Sequence, residues 1–290
     1  MTKIVALIIY KIIIFFDKVF YFVFKRNFFI WIKDYIQNDS YVKKKILGKE
    51  IIFFVPNHLT NWRVDNFFTK EPETIEWINK FSNKDEIIFW DIGANIGIYS
   101  LYAALKHKNI QVTSFEPSTS NLRVLTRNIS INNLNNKISV FNNPLTNKPN
   151  KILTMKETNF IEGGAFNTFG EEINFEGKKI DSKMEYRIYG TSINYILEKN
   201  ILNIPDYIKI DVDGIEHLIL DGASNYLNNN KLKEILIEIN ENFEDQYRSI
   251  FKIMNENNFI LKDKKRNESL IDKNNKTYNF IFEKVNKKGF

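Results

Sequence analysis

Three acidic residues and a histidine follow a buried apolar strand within seven positions. Asp211, Asp213 and Glu216, with His217 as a weaker candidate, come directly after the run YIKI. Groups at the carboxyl end of a parallel strand point into the crevice where doubly wound sheets bind ligands. There a carboxylate can orient a hydroxyl or take its proton, and such base assistance contributes about 10²–10⁴ in rate. Asp211 and Glu216 are the first candidates for this role, and Asp213 is next because it can also cap a helix beginning near Gly214.

A glycine-punctuated turn forms the second group of candidate residues. In the segment IIFWDIGANIG, an apolar run reaches Asp91 and leads into Gly93, Asn95 and Gly97. The run is apolar without alternation, which is typical of a parallel strand buried on both faces. Glycines at such a turn let the backbone bend tightly and let a ligand lie against it. The next apolar run delivers Glu116, a carboxylate placed to accept hydrogen bonds from both hydroxyls of a ribose.

The spacing of this turn separates two nucleoside cofactors. A dinucleotide fingerprint reads G-x-G-x-x-G because its pyrophosphate sits on bare backbone amides at the helix start. Here the order is D-x-G-x-N-x-G, with Asn95 where the middle glycine would be. S-adenosylmethionine (SAM) has no phosphate and carries a zwitterionic methionine tail, so a carboxylate and an amide are suitable neighbours for it. The turn therefore favours SAM, although a glycine-rich turn of this kind also occurs with no ligand.

Alternating strand and helix patterns position both groups. The chain of 290 residues can bury a sizeable core, and 43% of it is hydrophobic. The alternation predicts an α/β fold: a Rossmann-like, doubly wound, mostly parallel sheet with an antiparallel C-terminal hairpin. Strands are predicted at residues 51–55, 87–90, 111–115, 138–141, 207–211, 234–239, 259–261 and 278–282. Helices are predicted at residues 73–81, 98–105, 118–132 and 192–199, and a further helix follows the strand at 207–211 and ends at residue 220.

Residues 145 to 205 interrupt this alternation. The stretch is polar and glycine-containing, and it is too long for a plain connection. We predict that it forms a β-rich flap over the site, with strand-like pieces at residues 151–155 and 172–175. Phe160, Phe166 and Phe169 in this flap are candidates for stacking on a sugar ring, or alternatively for a small local core.

Net charge is concentrated at the amino terminus. The formal net charge is +6, and the first 50 residues hold ten Lys or Arg against four Asp or Glu, so the remaining chain is balanced. A balanced body argues against nucleic acid as a partner. Lys11, Lys18 and Lys25 recur every seven positions in an aliphatic and aromatic run that spans residues 4 to 32. On one helix they form a basic stripe, so residues 1–35 are predicted to lie in an anionic membrane surface.

Two other arrangements of this segment stay open. A spanning helix is opposed by Lys11, Asp17 and Lys18, which interrupt every window of about 20 residues that could cross a bilayer. A helix packed on the domain or on a dimer partner would also cover the apolar face. The predicted organisation is an N-terminal basic and apolar helical segment at residues 1–45, a lead-in strand and helix at 46–84, and the main domain at 85–290.

Composition excludes several kinds of site. The chain has no cysteine, which removes disulfides, thiolate metal sites and cysteine nucleophiles. The three histidines show no metal-ligand spacing, and we assign no metal. The spacing of Glu238 and Asn240 would still permit an oxygen-ligand site with Asp211. Oligomeric state is not determined by these features.

Three segments, in chain order DIGANIGIYSLYAA, FEPSTSN and IKIDVDGIEHLILDGA, resemble the FkbM family of SAM-dependent methyltransferases. The similarity runs from TKEPET, which begins at Thr69, to NFIFE, which ends at Glu283. The resemblance implies the class I methyltransferase fold, SAM as cofactor and O-methylation, often of sugars in surface polysaccharides or of secondary-metabolite hydroxyls. Family members often have glutamate at the position of Asp213, where the shorter side chain keeps the charge and reduces the reach. The resemblance implies Asp91, Gly93, Asn95 and Gly97 as the cofactor loop, Glu116 as the ribose ligand, and Asp211, Asp213 and Glu216 as active-site acids.

These observations predict a SAM-dependent O-methyltransferase that modifies a hydroxyl of a glycan, glycolipid or related small molecule in polysaccharide biosynthesis. Its expected location is the cytoplasmic face of the membrane, as a peripheral protein. One alternative is a non-catalytic SAM-binding or scaffolding subunit of a membrane-associated glycan assembly system, in which the acids only cap and pair. A nicotinamide-dependent oxidoreductase is disfavoured because the G-x-G-x-x-G pattern is missing.

Overall fold

The elements alternate between strands and helices through the main part of the chain. The computed structural model describes residues 1–82, 85–266 and 276–285. The helices are α1 (Thr2–Phe24), α2 (Phe29–Asn38), α3 (His58–Asp65), α4 (Pro72–Asn79), α5 (Ile98–Lys106), α6 (Thr119–Ile131), α7 (Ile193–Glu198), α8 (Glu216–Asp221) and α9 (Glu244–Glu256). The strands are β1 (Tyr41–Ile46), β2 (Lys49–Phe54), β3 (Ile87–Ile92), β4 (Ile110–Phe115), β5 (Ile138–Phe141), β6 (Lys151–Glu157), β7 (Thr168–Phe169), β8 (Met184–Gly190), β9 (Tyr207–Ile210), β10 (Glu234–Asn240), β11 (Phe259–Lys265) and β12 (Thr277–Lys284).

A seven-stranded sheet is the centre of the fold. Its order is β11-β12-β10-β9-β3-β4-β5. Strands β5, β4, β3, β9 and β10 are parallel, and β12 runs antiparallel to both β10 and β11. The predicted doubly wound sheet with an antiparallel C-terminal hairpin is thus confirmed; the hairpin turn lies partly outside the described residues. Because the order reverses at β3, the carboxyl ends of β3, β4 and β9 meet at one crevice.

Two hydrophobic cores cover the two faces of this sheet. One core joins the β1–β2 hairpin and helices α4, α5 and α6 to one face, and the other joins α7, α8 and α9 to the opposite face. All six residues of β3 are buried, as expected for a parallel strand between two layers of helices. The sheet therefore gives the crevice a rigid floor.

Helix α6 holds the β2 edge through asparagine side chains. The Asn128 carboxamide oxygen accepts the Phe54 N–H at 2.8 Å, and its Nδ2 donates to the Ile96 carbonyl at 2.9 Å. One helical turn later, Asn132 exchanges two hydrogen bonds with the backbone of Ile52, at 2.9 and 2.7 Å. These amides take the place of a neighbouring strand and satisfy an otherwise open sheet edge.

The amino-terminal segment differs from the sequence prediction. Instead of one helix over residues 4 to 32 there are two helices, α1 and α2, which we call the elbow. Lys25 ends α1 in the left-handed region at φ 55°, so the basic stripe breaks there. The predicted boundary at residue 45 is also wrong, because β1 begins at Tyr41 and pairs with β2. No helix within the described residues is long and apolar enough to cross a membrane.

Two further local predictions need correction. The sequence predicts no helix between the strand at residues 51–55 and the helix at 73–81, yet α3 begins at His58 because Asn57 and Thr60 form a capping box. The flap contains a three-stranded sheet in the order β7-β6-β8, which confirms its β-rich character. Its short strand, however, is Thr168–Phe169, and the predicted strand at residues 172–175 contributes only the isolated bridge of Ile173 to Lys179.

Candidate active site

The Gly93 turn lies directly against the end of β9. Gly93 has φ +85°, and a Cβ at this position would lie 1.8 Å from the carbonyl oxygen of Asp211. Only glycine therefore permits β3 and β9 to end this close together. Gly97 also has positive φ, at the N-cap of α5. The two predicted groups of residues consequently meet at one place.

Glu116 sits in this crevice as a buried carboxylate with both oxygens oriented. Its Oε2 accepts the Asn95 N–H at 2.7 Å, and its Oε1 accepts the Ser118 N–H at 2.9 Å. Burial raises the pKa of Glu116 to about 7, although these two N–H groups favour the charged form. Glu116 thereby links the turn after β3 to the start of α6, and it lines the main cavity.

The main cavity has two chemically different walls. It measures about 600 Å³ including the open space at its mouth. Glu116 and the backbone of the Gly93 turn form a polar wall, which would hold a ribose. The apolar part of the lining would hold a flat aromatic base; it is formed by Leu145, Met155, Phe169, Ile215 and Ile219.

A second cavity opens on the other side of the Gly93 turn. It measures about 410 Å³ with its open space, and it is lined by Arg63, Lys70, Lys209 and Asp211. Three cations and a carboxylate match a zwitterionic tail, which needs both signs of charge. Asn95 lines both cavities, and its Oδ1 is buried without a hydrogen-bond partner among the described residues. An unsatisfied buried acceptor at this junction fits a ligand that donates a hydrogen bond there.

Asp211 is held by a buried lysine that the sequence analysis did not single out. Lys209 is 1% exposed at its side chain, and its Nζ lies 2.6 Å from Asp211 Oδ2. Burial opposes ionisation of Asp211, but Lys209 and Lys70 more than offset it and hold the pKa at about 2. A lysine inside the apolar run YIKI was the available signal, because a buried charge needs a partner.

Two glutamates complete the charge network around Asp211. Glu71, Asp211 and Glu238 have carboxylate oxygens within 4.8 Å of one another. Lys70 contacts Glu71 as Lys209 contacts Asp211, so two of the three carboxylates already have ammonium partners, and we assign no metal here. Burial, with the charges of Asp211 and Glu71, raises the pKa of Glu238 well above its usual value. The pKa of Glu238 is therefore shifted in the opposite direction to that of Asp211, to which its side chain is hydrogen-bonded.

Asp213 lines the main cavity together with Glu116. Its Oδ2 accepts the Phe166 N–H of the flap at 2.6 Å, and its backbone has φ +62°. It does not cap α8, whose N-cap is Ile215, so that part of the prediction is wrong. Burial and the charge of Asp211 raise the pKa of Asp213 to about 6. Asp213 is thus ionised near neutral pH while still basic enough to take a proton.

The family comparison identifies the chain. A model of the methyltransferase FkbM domain matches residues 91–261, which contain both sets of predicted site residues. The chain belongs to the FkbM methyltransferase family. It is a SAM-dependent methyltransferase, as its motifs predicted, and the nicotinamide alternative is set aside. None of the curated protein sequences compared with the chain matches it.

Solved structures with a related fold are distant from this FkbM methyltransferase. TYW2 of M. jannaschii in complex with AdoMet is 14% identical, with coverage of 85% of this chain and 87% of that one and a TM-score of 0.44. TrmK of M. capricolum in complex with S-adenosyl-homocysteine is also 14% identical, with coverage of 72% and 67% and a TM-score of 0.42. A precorrin-6y C5,15-methyltransferase of Geobacter metallireducens is 13% identical, with coverage of 74% and 87% and a TM-score of 0.41.

Glu216 of the FkbM methyltransferase is engaged in local hydrogen bonds. Its carboxylate accepts the N–H groups of Val212 and Gly214, and Gln246 Nε2 donates to Oε2 at 2.6 Å. Burial raises its pKa to about 7. Its assignment as an active-site acid stays a prediction, and the contacts indicate that it shapes the turn carrying Asp213. Burial lowers the pKa of the neighbouring His217, which packs edge-on against Phe243.

The remaining candidates are dispersed. Asp91 lies under the Gly93 turn, where its Oδ2 accepts from Ser100 Oγ at 2.6 Å, and burial raises its pKa. Asn240 is engaged elsewhere, because its Nδ2 donates to the Phe175 carbonyl at 3.1 Å. The predicted flap aromatics are also not gathered: Phe169 lines the cavity, whereas Phe160 is 72% exposed. Phe166 packs against Phe175 with ring centroids 4.8 Å apart and the ring planes tilted by 31°.

Proposed function

We propose that this enzyme transfers the methyl group of SAM to a hydroxyl of a glycan, glycolipid or related small molecule. The observation that carries the proposal is the position of Asp213. It lines the same cavity as Glu116, so a proton acceptor stands beside the place where the donor's nucleoside would be held. Transfer to oxygen needs such an acceptor because the hydroxyl proton must leave as oxygen attacks.

The residues divide the work between binding and proton transfer. SAM supplies an electrophilic methyl on a sulfonium, which its charge makes reactive. Glu116 would hold the ribose, and Arg63 and Lys70 would face the methionine carboxylate. Asp211, whose pKa is lowered to about 2 beside Lys209, is a weak base and would orient the acceptor. Asp213 would take the hydroxyl proton as the new carbon–oxygen bond forms and the carbon–sulfur bond breaks.

The polar part of the cavity supports a hydroxyl-rich acceptor. Asn143, Asn167 and Thr168 line it together with Asp213. The Thr168 hydroxyl is buried without a hydrogen-bond partner among the described residues, so it is available to a ligand. Sugars present several hydroxyls that can satisfy amide and hydroxyl groups of this kind at once.

A methyl-transfer screen tests the proposal. The full chain is incubated with methyl-labelled SAM and three acceptor classes: nucleotide-activated sugars, lipid-linked sugars and small aliphatic alcohols. We expect labelled ether product and S-adenosylhomocysteine with a sugar class, and a loss of about 10²–10⁴ in kcat for Asp213→Asn. Label on nitrogen or carbon would contradict O-methylation. SAM binding without S-adenosylhomocysteine release from any acceptor would favour the non-catalytic alternative.

A further inference from the structure

The elbow carries a large uncovered apolar surface. In α1, fifteen aliphatic or aromatic side chains expose between 36% and 78% of their area. In α2, Ile30, Trp31, Tyr35 and Ile36 expose more than half of theirs. Neither hydrophobic core of the sheet includes a residue of these two helices. A helix that is apolar around most of its circumference is normally covered by protein or by lipid.

Asp17 fixes the shape of the elbow. It is the buried residue of α1, and its carboxylate accepts the N–H groups of Phe28 and Phe29 at 2.7 and 2.9 Å. Asn27 Nδ2 donates to its other oxygen at 2.9 Å. These backbone N–H groups belong to the first turn of α2, which would otherwise lack acceptors. Asp17 therefore caps α2 from another helix, and its charge is compensated inside the elbow.

The basic residues of the elbow have a different environment. Among the described residues, Lys3, Lys11, Lys18 and Lys25 of this segment form no ion pair with a carboxylate. Lys25 and Lys33 lie over aromatic rings, at 5.3 Å from Phe22 and 5.1 Å from Phe29. Their ammonium groups thus stand beside apolar surface with their charge available to an anionic partner.

We propose that the elbow is an interfacial anchor that binds an anionic phospholipid bilayer. A bilayer surface supplies acyl chains for the apolar side chains and, in the head-group layer just above them, phosphate groups for the lysines. Trp31 and Tyr35 are of the types that favour the boundary between the two. A second copy of this chain would bring the same positive charges together, which repel. The proposal goes beyond methyl transfer and does not depend on the identity of the acceptor.

One arginine joins this anchor to the flap. Arg123 of α6 donates to Gln37 Oε1 of α2 at 2.9 Å and contacts Glu162 of the flap at 2.6 Å. Gly164, two residues after Glu162, lines the main cavity, and its carbonyl accepts a hydrogen bond from Asn95 Nδ2 at 2.7 Å. The side chain of Arg123 therefore connects the elbow to the flap.

Vesicle partition of the full chain tests the anchor. Sedimentation would compare vesicles of phosphatidylcholine alone with vesicles containing one quarter phosphatidylglycerol. The elbow variant carries Lys3→Glu, Lys11→Glu and Lys18→Glu together, which reverses three charges of α1. The matched control reverses the charge of three exposed lysines outside the elbow, through Lys108→Glu, Lys231→Glu and Lys252→Glu. We expect the elbow variant to partition at least about 100-fold more weakly into anionic vesicles, and the control to remain within about threefold of the wild type.

Fluorescence gives a second readout that does not depend on sedimentation. The tryptophan fluorescence of the wild type minus that of Trp31→Phe isolates the signal of Trp31. Lipids brominated near the head group should quench this signal more than lipids brominated near the chain end. SAM affinity measured on each variant shows that the main domain remains folded. Equal vesicle binding by wild type and the elbow variant would overturn the proposal. If the wild type forms a dimer in the absence of vesicles, the proposal would be overturned in favour of self-association.

Discussion

At the scale of single residues, the same type of side chain acquires different properties from its surroundings. Asp211 and Asp213 are two positions apart, yet the pKa of Asp211 is held at about 2 and that of Asp213 is raised to about 6. The difference arises because Lys209 contacts Asp211, whereas Asp213 receives a flap N–H and the negative field of Asp211. The closest lysine thus decides which aspartate can serve as a base.

Binding of SAM should depend on the ionisation of Glu116. Its pKa of about 7 lies above the ordinary value of 4.5 because the carboxyl is buried, so the charged form predominates only above neutrality. If the ribose hydroxyls bind the charged form, affinity rises with pH, by about tenfold between pH 6 and pH 8. Calorimetric titration across this range should show the rise for the wild type.

The Glu116→Gln variant provides the comparison. It should bind SAM about 10- to 100-fold more weakly at pH 8, because one charged acceptor of two hydroxyls is lost. Its affinity should also be nearly independent of pH. Glu256→Gln, an exposed change on α9, should behave as the wild type. A Glu116→Gln variant with wild-type affinity at pH 8 would refute the ribose assignment.

The rate of methyl transfer should follow the ionisation of Asp213. Because its pKa is raised to about 6, the base is protonated and inactive below that pH, so kcat should rise through pH 6 and level off above. Asp213→Glu, which supplies the residue common in the family, should keep the rise. Asp213→Asn, which also tolerates φ +62°, should give a low and flat profile. Persistence of the step in Asp213→Asn would assign the base elsewhere.

At the scale of elements, the site exists because β3 and β9 end against each other. The Gly93 turn meets the Asp211 carbonyl, and the flap reaches the same point through Phe166 and Gly164. Asn95 and Asn121 both donate to the Gly164 carbonyl, at 2.7 and 3.1 Å. The Gly93 turn, the start of α6 and the flap are therefore joined by hydrogen bonds to one carbonyl group, that of Gly164.

Gly93→Ala should destabilise the protein far more than an alanine at another left-handed glycine. The new Cβ would lie 1.8 Å from the Asp211 carbonyl, whereas at Gly48, with φ +80°, nothing lies within 4 Å. We expect a loss of about 3 kcal/mol or more in the free energy of unfolding for Gly93→Ala, and about 1 kcal/mol for Gly48→Ala. Urea unfolding measures both values. Equal losses would show that the turn relaxes without cost.

The asparagines of α6 should be essential to the β2 edge. Asn128 is fully buried and serves one N–H and one carbonyl, so Asn128→Ala leaves both without a partner. A decrease of about 2–3 kcal/mol in the free energy of unfolding is expected. Asn255→Ala, an exposed change on α9, should stay within about 0.5 kcal/mol of the wild type. A small effect at Asn128 would mean that water replaces the amide.

For the molecule as a whole, we expect the elbow and the body to be separate stability units. The cores contain residues from β1 onward, and the elbow meets the body through exposed polar contacts such as that of Gln37 with Arg123. The β1–β2 hairpin, in contrast, contributes Ile46, Phe53 and Phe54 to the core. The boundary of the folded domain therefore lies between α2 and β1.

Truncation distinguishes these two units. Removal of residues 1–38 should change the free energy of unfolding by no more than about 1 kcal/mol, since no core side chain is lost. Removal of residues 1–56 should prevent stable folding, because several buried aromatic and aliphatic side chains go with the hairpin. Urea unfolding and SAM titration of both variants give the comparison. Loss of folding in the shorter truncation would place the elbow within the folded domain.

Residue patterns along the chain predict the succession of strands that form the sheet and the residues of the Gly93 turn. These features are local, because an apolar run specifies a buried strand and a D-x-G-x-N-x-G turn specifies its own backbone. The sequence also carried the family motifs. The sequence pattern did not reveal where the amino-terminal helix breaks. The reason is that Asp17, which caps α2 after the break, lies ten residues before its hydrogen-bond partner Asn27 in the chain.

The properties of the individual acids depend on contacts that form only in the folded protein. Lys209 sets the charge of Asp211, Phe166 orients Asp213, and Gln246 engages Glu216. Phe166 and Gln246 lie more than twenty-five residues along the chain from the acids they contact, on the flap and on α9. The pKa of a buried carboxyl depends on burial and on charges within a few ångströms. Such neighbours are brought together by packing of the sheet, its helices and the flap, and residue spacing along the chain does not encode them.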